Sequence, residues 1–185
     1  MRSSTLLIIF AVAFFIAIQG NAQRLPGLDK SPMDMAYFPP NFAHDRQVDD
    51  AIIRVTYSRP QKKGRAIFGK MVKYGKVWRT GANESTEIKF YQDIMLDGKS
   101  VKAGTYSLFT IPGEKSWEII LNTELDYWGA YSYKEEKDVL RVTAPASTST
   151  EEVEAFTISF EEGDGQSGQM ILAWDKTVVK VPLKY

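Results

Sequence analysis

From Ala51 onward the apolar residues recur at every second position in short runs, with Gly, Pro or Asp between one run and the next. Ile53, Val55 and Tyr57 alternate with Arg54, Thr56 and Ser58, and Ile88 and Phe90 with Glu87 and Lys89. Trp117, Ile119 and Leu121 share a face, as do Phe156, Ile158 and Phe160, and then Met170, Leu172 and Trp174. A two-residue period puts one kind of side chain on one face of an extended strand and cannot line one face of a helix. Asp97-Gly98 behind Ile94–Leu96 is a strong hairpin signal. Pro112-Gly113 stops the run Thr105–Ile111, and Val139–Thr143 is a further strand candidate. Pro145–Thr150 reads as a polar loop, Gly163–Gly168 as a hairpin loop, and Asp175-Lys176 as a turn into Val178–Leu183. The only helical expectations are single turns at Ile67–Met71 and Tyr133–Lys137. The fold class is therefore all-β. It is an antiparallel β-sandwich, jelly-roll or Ig-like, or an open barrel, of about eight or nine strands with few or no long helices.

The first residues read as an export leader. Arg2 supplies the positive start, Leu6–Ile18 is apolar, and Gly20-Asn21-Ala22 is a small-x-small site with the cut expected after Ala22. The apolar run is short of the ~20 residues that span a bilayer, and there is no second one. The expected product is periplasmic or secreted, with no transmembrane segment once residues 1–22 are removed. Residues 23–50, with Pro26, Pro32, Pro39 and Pro40 among Met33, Met35, Tyr37, Phe38 and Phe42, read as an N-terminal arm packing on the domain. Residues 51–185 read as a single β-domain.

The chain has no Cys, so disulfides, thiolate metal sites and cysteine nucleophiles are excluded. A single His, His44, precludes a multi-histidine metal centre and has no acidic orienter to suggest a triad. Glu151-Glu152 and Glu161-Glu162 are neighbours that point to opposite faces of a strand, unlike a glycosidase pair. No calcium loop, phosphate-cradling glycine loop or dinucleotide fingerprint is present, and no cofactor is expected. The 23 basic residues balance 23 acidic ones, whereas nucleic-acid-binding domains carry a basic excess.

That balance is uneven along the chain. Arg59 to Arg79 holds eight basic residues and no acid, and Thr80-Gly81-Ala82-Asn83-Glu84 follows. A positive face beside a glycine-containing turn suits an anionic or polyhydroxyl ligand. Arg59, Arg65 and Arg79 offer rigid forks of donors for carboxylate, sulfate or phosphate. They can equally pair with the chain's own acids. Lys62, Lys63, Lys70, Lys73 and Lys76 add long-range attraction. Asn83 can donate and accept, and Glu84 can accept from hydroxyls or act as a base; both can instead satisfy the turn. Trp78 is a candidate apolar wall, and Trp128 with Tyr127, Tyr131 and Tyr133 a candidate stacking platform. Trp117 and Trp174 are assigned to the core.

Tyr57–Pro60 (YSRP), Lys63–Gly69 (KGRAIFG), Tyr74–Thr86 (YGKVWRTGANEST) and Ala103–Gly113 (AGTYSLFTIPG) resemble, in order, the blocks of the domain-of-unknown-function 2911 family. The resemblance runs from Ser31 to Leu183. It implies an exported bacterial protein and no established activity. One departure is Lys73, where many relatives have Pro before the Tyr-Gly; here it adds a positive charge. Three readings follow. The first is an envelope or periplasmic module binding an anionic or carbohydrate ligand through Arg59, Arg65, Trp78, Arg79, Asn83 and Glu84. The second is a structural domain for envelope protein partners, and the third a hydrolase or lyase with Glu84 as base beside an arginine.

Overall fold

The computed structural model describes residues 25–42 and 50–185; the leader and His44 lie outside the described residues. The two-residue period produces nine strands: β1 Met33–Phe38, β2 Ile53–Ser58, β3 Thr86–Phe90, β4 Ile94–Leu96, β5 Lys99–Val101, β6 Gly104–Ile111, β7 Ser116–Asn122, β8 Asp138–Glu162 and β9 Ser167–Lys184. All pairings are antiparallel, in the order β1-β2-β3-β6-β7-β8-β9-β4-β5. The strands thus form one continuous sheet. The only helix among the described residues is one 3-10 turn at Glu135–Lys137. No helix among them is long and apolar enough to cross a membrane.

Where alternation was clear, burial follows it. Ile53, Val55 and Tyr57 are buried while Arg54 and Thr56 are half-buried. The Asp97-Gly98 signal makes the β4–β5 hairpin, with left-handed φ of 47° and 76° at the two residues, as a two-residue primed turn requires. Residues 33–38 of the proline-rich arm join the sheet as its edge, Met33 opposite Ser58 and Phe38 opposite Ile53.

Three stretches differ from the sequence reading. Pro145–Thr150 is not a loop. It lies inside β8, which pairs with β7 as far as Pro145 and with β9 from Ala146 onward. Its Ser and Thr side chains are largely solvated, but the backbone is paired from Pro145 to Thr148, and β-branched Thr suits a pleated surface. Asp175-Lys176 likewise does not end a strand. Asp175, at φ 56°, sits at an irregularity opposite Val153 and bends β9 without stopping it. Ile67–Met71 forms turns closed by a Phe68–Val72 bridge, with no helix.

The bend turns the long β8–β9 ribbon back over the rest of the sheet. It brings β8 against the continuation of β2: Lys62 N–H donates to Glu154 O (2.7 Å) and Phe156 N–H to Pro60 O (2.9 Å). The buried Tyr57 hydroxyl donates to Ile158 O (3.1 Å) and accepts from Ile158 N–H (3.0 Å). Between the apposed faces lies one core, to which Phe38, Val55, Ile88, Leu108 and Leu121 contribute from one side and Phe156, Ile158, Leu172 and Val181 from the other. Its aromatic centre has Trp78 and Trp174 stacked at 6.0 Å and 16°, with Phe156 and Trp117 edge-on to Trp78. A second cluster, Phe109, Ile120 and Tyr127, is covered by Tyr133 and Ala130.

Gly168 marks how tightly the ribbon closes on β1. A Cβ there would lie 2.7 Å from the Phe38 ring and 2.8 Å from Glu161 O. Gly168→Ala is expected to lower unfolding free energy by about 1–3 kcal/mol through overpacking, measured by denaturant titration.

Candidate functional site

The Thr80–Asn83 turn is held from three sides. Ahead of it, Trp78 is fixed to β6 by reciprocal backbone bonds with Thr110 (2.7 and 3.0 Å), and its indole N–H donates to Gly81 O (3.1 Å). Thr80 is fully buried at φ 55°, and its hydroxyl bonds Thr110 Oγ1 (3.1 Å). A β-branched residue in the left-handed region is an outlier, costing roughly 1–3 kcal/mol. Behind the turn, Thr86 Oγ1 donates to Thr80 O (2.7 Å). Gly81 lies against β2, where an added Cβ would stand 3.1 Å from Ser58 O. Asn83, at φ 58°, accepts at its carbonyl from Gly129 N–H (2.9 Å), and Ser85 N–H donates to Tyr127 O (2.8 Å).

Beside this turn is a cavity of about 320 Å³ lined by Arg65, Arg79, Asn83 and Trp78 together with Ser31, Pro60, Met71, Val72, Gly81, Ala82 and Trp174. A second, of about 390 Å³, is lined by Lys30, Ser31, Gln61, Lys63 and Arg65. The two share Ser31 and Arg65, and neither lining contains an Asp or Glu. Of the eight basic residues from Arg59 to Arg79, only Arg59 and Lys62 make ion pairs among the described residues. Arg79 Nε is buried with no hydrogen-bond partner among them. Arg65 donates to the carbonyls of Lys62 (2.9 Å) and Gln61, so its own loop, and no carboxylate, fixes its guanidinium.

Four of the six residues singled out from the sequence thus meet at one cavity. Arg59 does not. Its Nη1 pairs with Asp34 (2.8 Å), Nε donates to Phe156 O (3.2 Å) and Nη2 to Thr157 Oγ1 (2.8 Å), so the guanidinium ties β1 and β2 to β8. Glu84 does not either. Past the left-handed Asn83 it lines a separate cavity of about 190 Å³ with Glu87, Asp126 and Ser107, away from the arginines. Trp78 is 7% exposed and forms floor more than wall. The tyrosines do not form one platform with Trp128. Tyr127 and Tyr133 pack on Phe109 and donate to Glu124 (2.8 Å) and Asp138 (2.6 Å). Burial first, and then Glu124, pushes the Tyr127 phenol up to about 12. Trp128 and Tyr131 are 63% and 87% exposed.

The sequence reading missed the N-terminal contribution of Asp29, Lys30 and Ser31. Asp29 Oδ1 accepts from Ser31 N–H (2.7 Å), an Asx turn, and from Asn83 Nδ2 (3.0 Å). The Asp-x-Ser spacing signals the turn; nothing in it signals the partner 54 residues away. Among the described residues no group of three or more His, Cys, Asp or Glu is placed to hold a metal ion.

Arg59→Ala is expected to lower stability by about 1–3 kcal/mol through loss of charged hydrogen bonds, read by denaturant titration. A second outcome concerns pH. The Ser31 N–H first, and then the Asn83 amide, holds the Asp29 carboxyl below its ordinary 3.8. A depressed carboxylate contributes stability that is fully present above the unfolded value and lost as pH falls through the folded one. Protection of the Ser31 amide from hydrogen exchange should therefore persist at neutral pH and decline only below pH 3.8, and Asp29→Asn should lack that step.

No curated protein and no solved structure matches the chain. Residues 39–183 match the sequence profile of a family described as "Protein of unknown function (DUF2911)". That span takes in β2 to β8, β9 as far as Leu183, and every block on which the resemblance rested, and the chain belongs to the DUF2911 family.

Proposed function

We propose that this chain is an exported module, of the periplasm or the extracellular side of the envelope, that binds an anionic ligand between Arg79, Arg65 and Asn83. The observation that carries this reading is that two arginines with no carboxylate partner among the described residues line one acid-free cavity, one of them with a buried, unpartnered Nε. A buried N–H left without an acceptor costs roughly 1–3 kcal/mol. Charge-assisted bonds from the Arg79 and Arg65 guanidiniums to a ligand oxygen are of the strong kind. The strained Thr80 backbone supports the same reading, because strain of this kind concentrates where geometry serves binding. Asn83 Nδ2 gives one hydrogen to Asp29 Oδ1 and has a second to offer a ligand, while Met71, Val72 and Trp78 give the ligand an apolar side. The leader formed by Arg2, Leu6–Ile18 and Gly20-Asn21-Ala22 supports export.

Calorimetric titration of the purified protein with galacturonate, citrate, sulfate and phosphate tests this. One of these anions is expected to bind, and Arg79→Ala, still folded by circular dichroism, to weaken it about 10–100-fold, the equivalent of one charged hydrogen bond. Glu84→Gln is expected to leave binding unchanged. Binding that survives Arg79→Ala and disappears in Glu84→Gln would place the site in the other cavity.

A further inference from the structure

We infer that the N-terminal strap Asp29-Lys30-Ser31 completes the anion site, with Asp29 as the positioning residue that sets the Asn83 amide and holds Ser31 against the cavity. The inference rests on the anion-binding reading above. The strap lies ahead of the family span 39–183, whereas Arg65, Arg79 and Asn83 lie within it. Residues 25–30 are exposed and form no strand, yet Ser31 is half-buried and lines both basic cavities, and Lys30 lines the second of them. Two anchors hold the strap there. At one end Asp29 Oδ1 accepts from Asn83 Nδ2 (3.0 Å). At the other, Arg59 N–H donates to Pro32 O (3.0 Å), where β1 begins to pair with β2.

The Asp29 contact decides which way the amide faces. The Asp29 carboxyl is held below its ordinary 3.8, so at neutral pH it is ionised and only accepts. Asn83 must therefore turn its nitrogen, not its oxygen, to Asp29, and the flip that an unpartnered amide is free to make is closed to it. One Nδ2 hydrogen is used there and the other is left for a ligand. A donor fixed in place before binding loses less freedom on contact. The same Oδ1 takes the Ser31 N–H (2.7 Å), so the turn that fixes the amide also holds Ser31 at the lining. There its hydroxyl can donate or accept.

An acidic side chain beside an anion site suggests the opposite role, that of an internal competitor. A competitor would sit on the guanidiniums. Asp29 does not: its Oδ1 takes Ser31 and Asn83, and it lines neither cavity. The strap thus leaves Arg65 and Arg79 open.

The test is calorimetric titration of the purified protein with galacturonate, citrate, sulfate and phosphate, comparing wild type with Asp29→Ala and Asp29→Asn. For an anion that the wild type binds, Asp29→Ala is expected to weaken binding about fivefold, the equivalent of one hydrogen bond. Asp29→Asn keeps an acceptor oxygen in the same place and should recover most of that affinity. In an Asn83→Ala background, Asp29→Ala should cost less than it does in the wild type. Hydrogen exchange at the Ser31 amide should slow when the same anion is added to the wild type, and should not respond in Asp29→Ala. A residue serving only the fold would leave that response unchanged. Asp29 is exposed, and thermal melts matching the wild type confirm intact folds. If Asp29→Ala binds as the wild type does, the strap is no part of the site; the inference falls and the anion site stands. If Asp29→Ala binds more tightly, the strap competes with the anion and the inference is overturned. If none of the four anions binds the wild type, both readings fall together.

Discussion

The bend in the β8–β9 ribbon is the constraint on which the rest depends. An antiparallel sheet of nine strands must curl or fold to bury one face, and here the fold is placed where Asp175 goes left-handed opposite Val153. At that corner the Lys62 ammonium lies between Glu152 (2.7 Å) and Asp175 (2.9 Å), with 13% of its side chain exposed. The Glu152 contact first, and then Asp175, raises the Lys62 pKa above 10.5. A raised lysine contributes stability that is fully present below the unfolded value and lost only as pH climbs through the folded one. On the alkaline side the clamp therefore persists until pH climbs above 10.5. It also anchors segment 59–65, from which Lys63 and Arg65 reach the basic cavities.

The aromatic core and the cavity at Arg79 are two sides of the same residues. Trp78 stacks on Trp174 beneath, both line the cavity above, and Trp78 closes the turn through Gly81 O. Arg79 is adjacent to a residue that cannot move without disturbing close-packed rings. That rigidity is what lets a left-handed, buried Thr80 persist, since the packing around it over-determines its conformation. In the proposed site Arg79 would therefore meet a ligand from a backbone already fixed, which favours affinity.

Much of this was legible because it is written in local patterns. The alternation Ile53-Val55-Tyr57, the Asp97-Gly98 turn and the stop at Pro112-Gly113 each report on a few neighbouring residues, and each appears in the fold as its chemistry dictates. The basic run beside Gly81-Ala82-Asn83 is local in the same way, and Arg65, Trp78, Arg79 and Asn83 from it line one cavity. What escaped depends on distant partners. Ser147 and Thr148 look like loop because their side chains are solvated, yet Val178 and Thr177 of β9 pair their backbone. Asp175 resembles a turn residue because its backbone is one, and only Val153 across the ladder makes it a bend within a strand. Asp29 reaches Asn83 across a separation that no local pattern encodes.

The arginines of this one molecule provide their own comparison. Arg59 shows what a structural arginine looks like here, with a carboxylate at 2.8 Å and its other donors on β8. Arg141 repeats the arrangement, contacting Asp138 at 2.8 Å, Glu118 at 3.1 Å and the Tyr133 hydroxyl at 2.6 Å. Even Arg54, whose Nε is buried without a partner, has Glu87 within 3.9 Å of its guanidinium. Arg79 combines the same orphaned Nε with no acid within ion-pair distance among the described residues. A fold that gives Arg59 and Arg141 partners for all their guanidinium nitrogens has the means to satisfy a third. Leaving this one unmet, at a strained turn and beside a second unpaired arginine, costs stability and gains nothing for the core. That contrast is what supports the proposed anion site at Arg79.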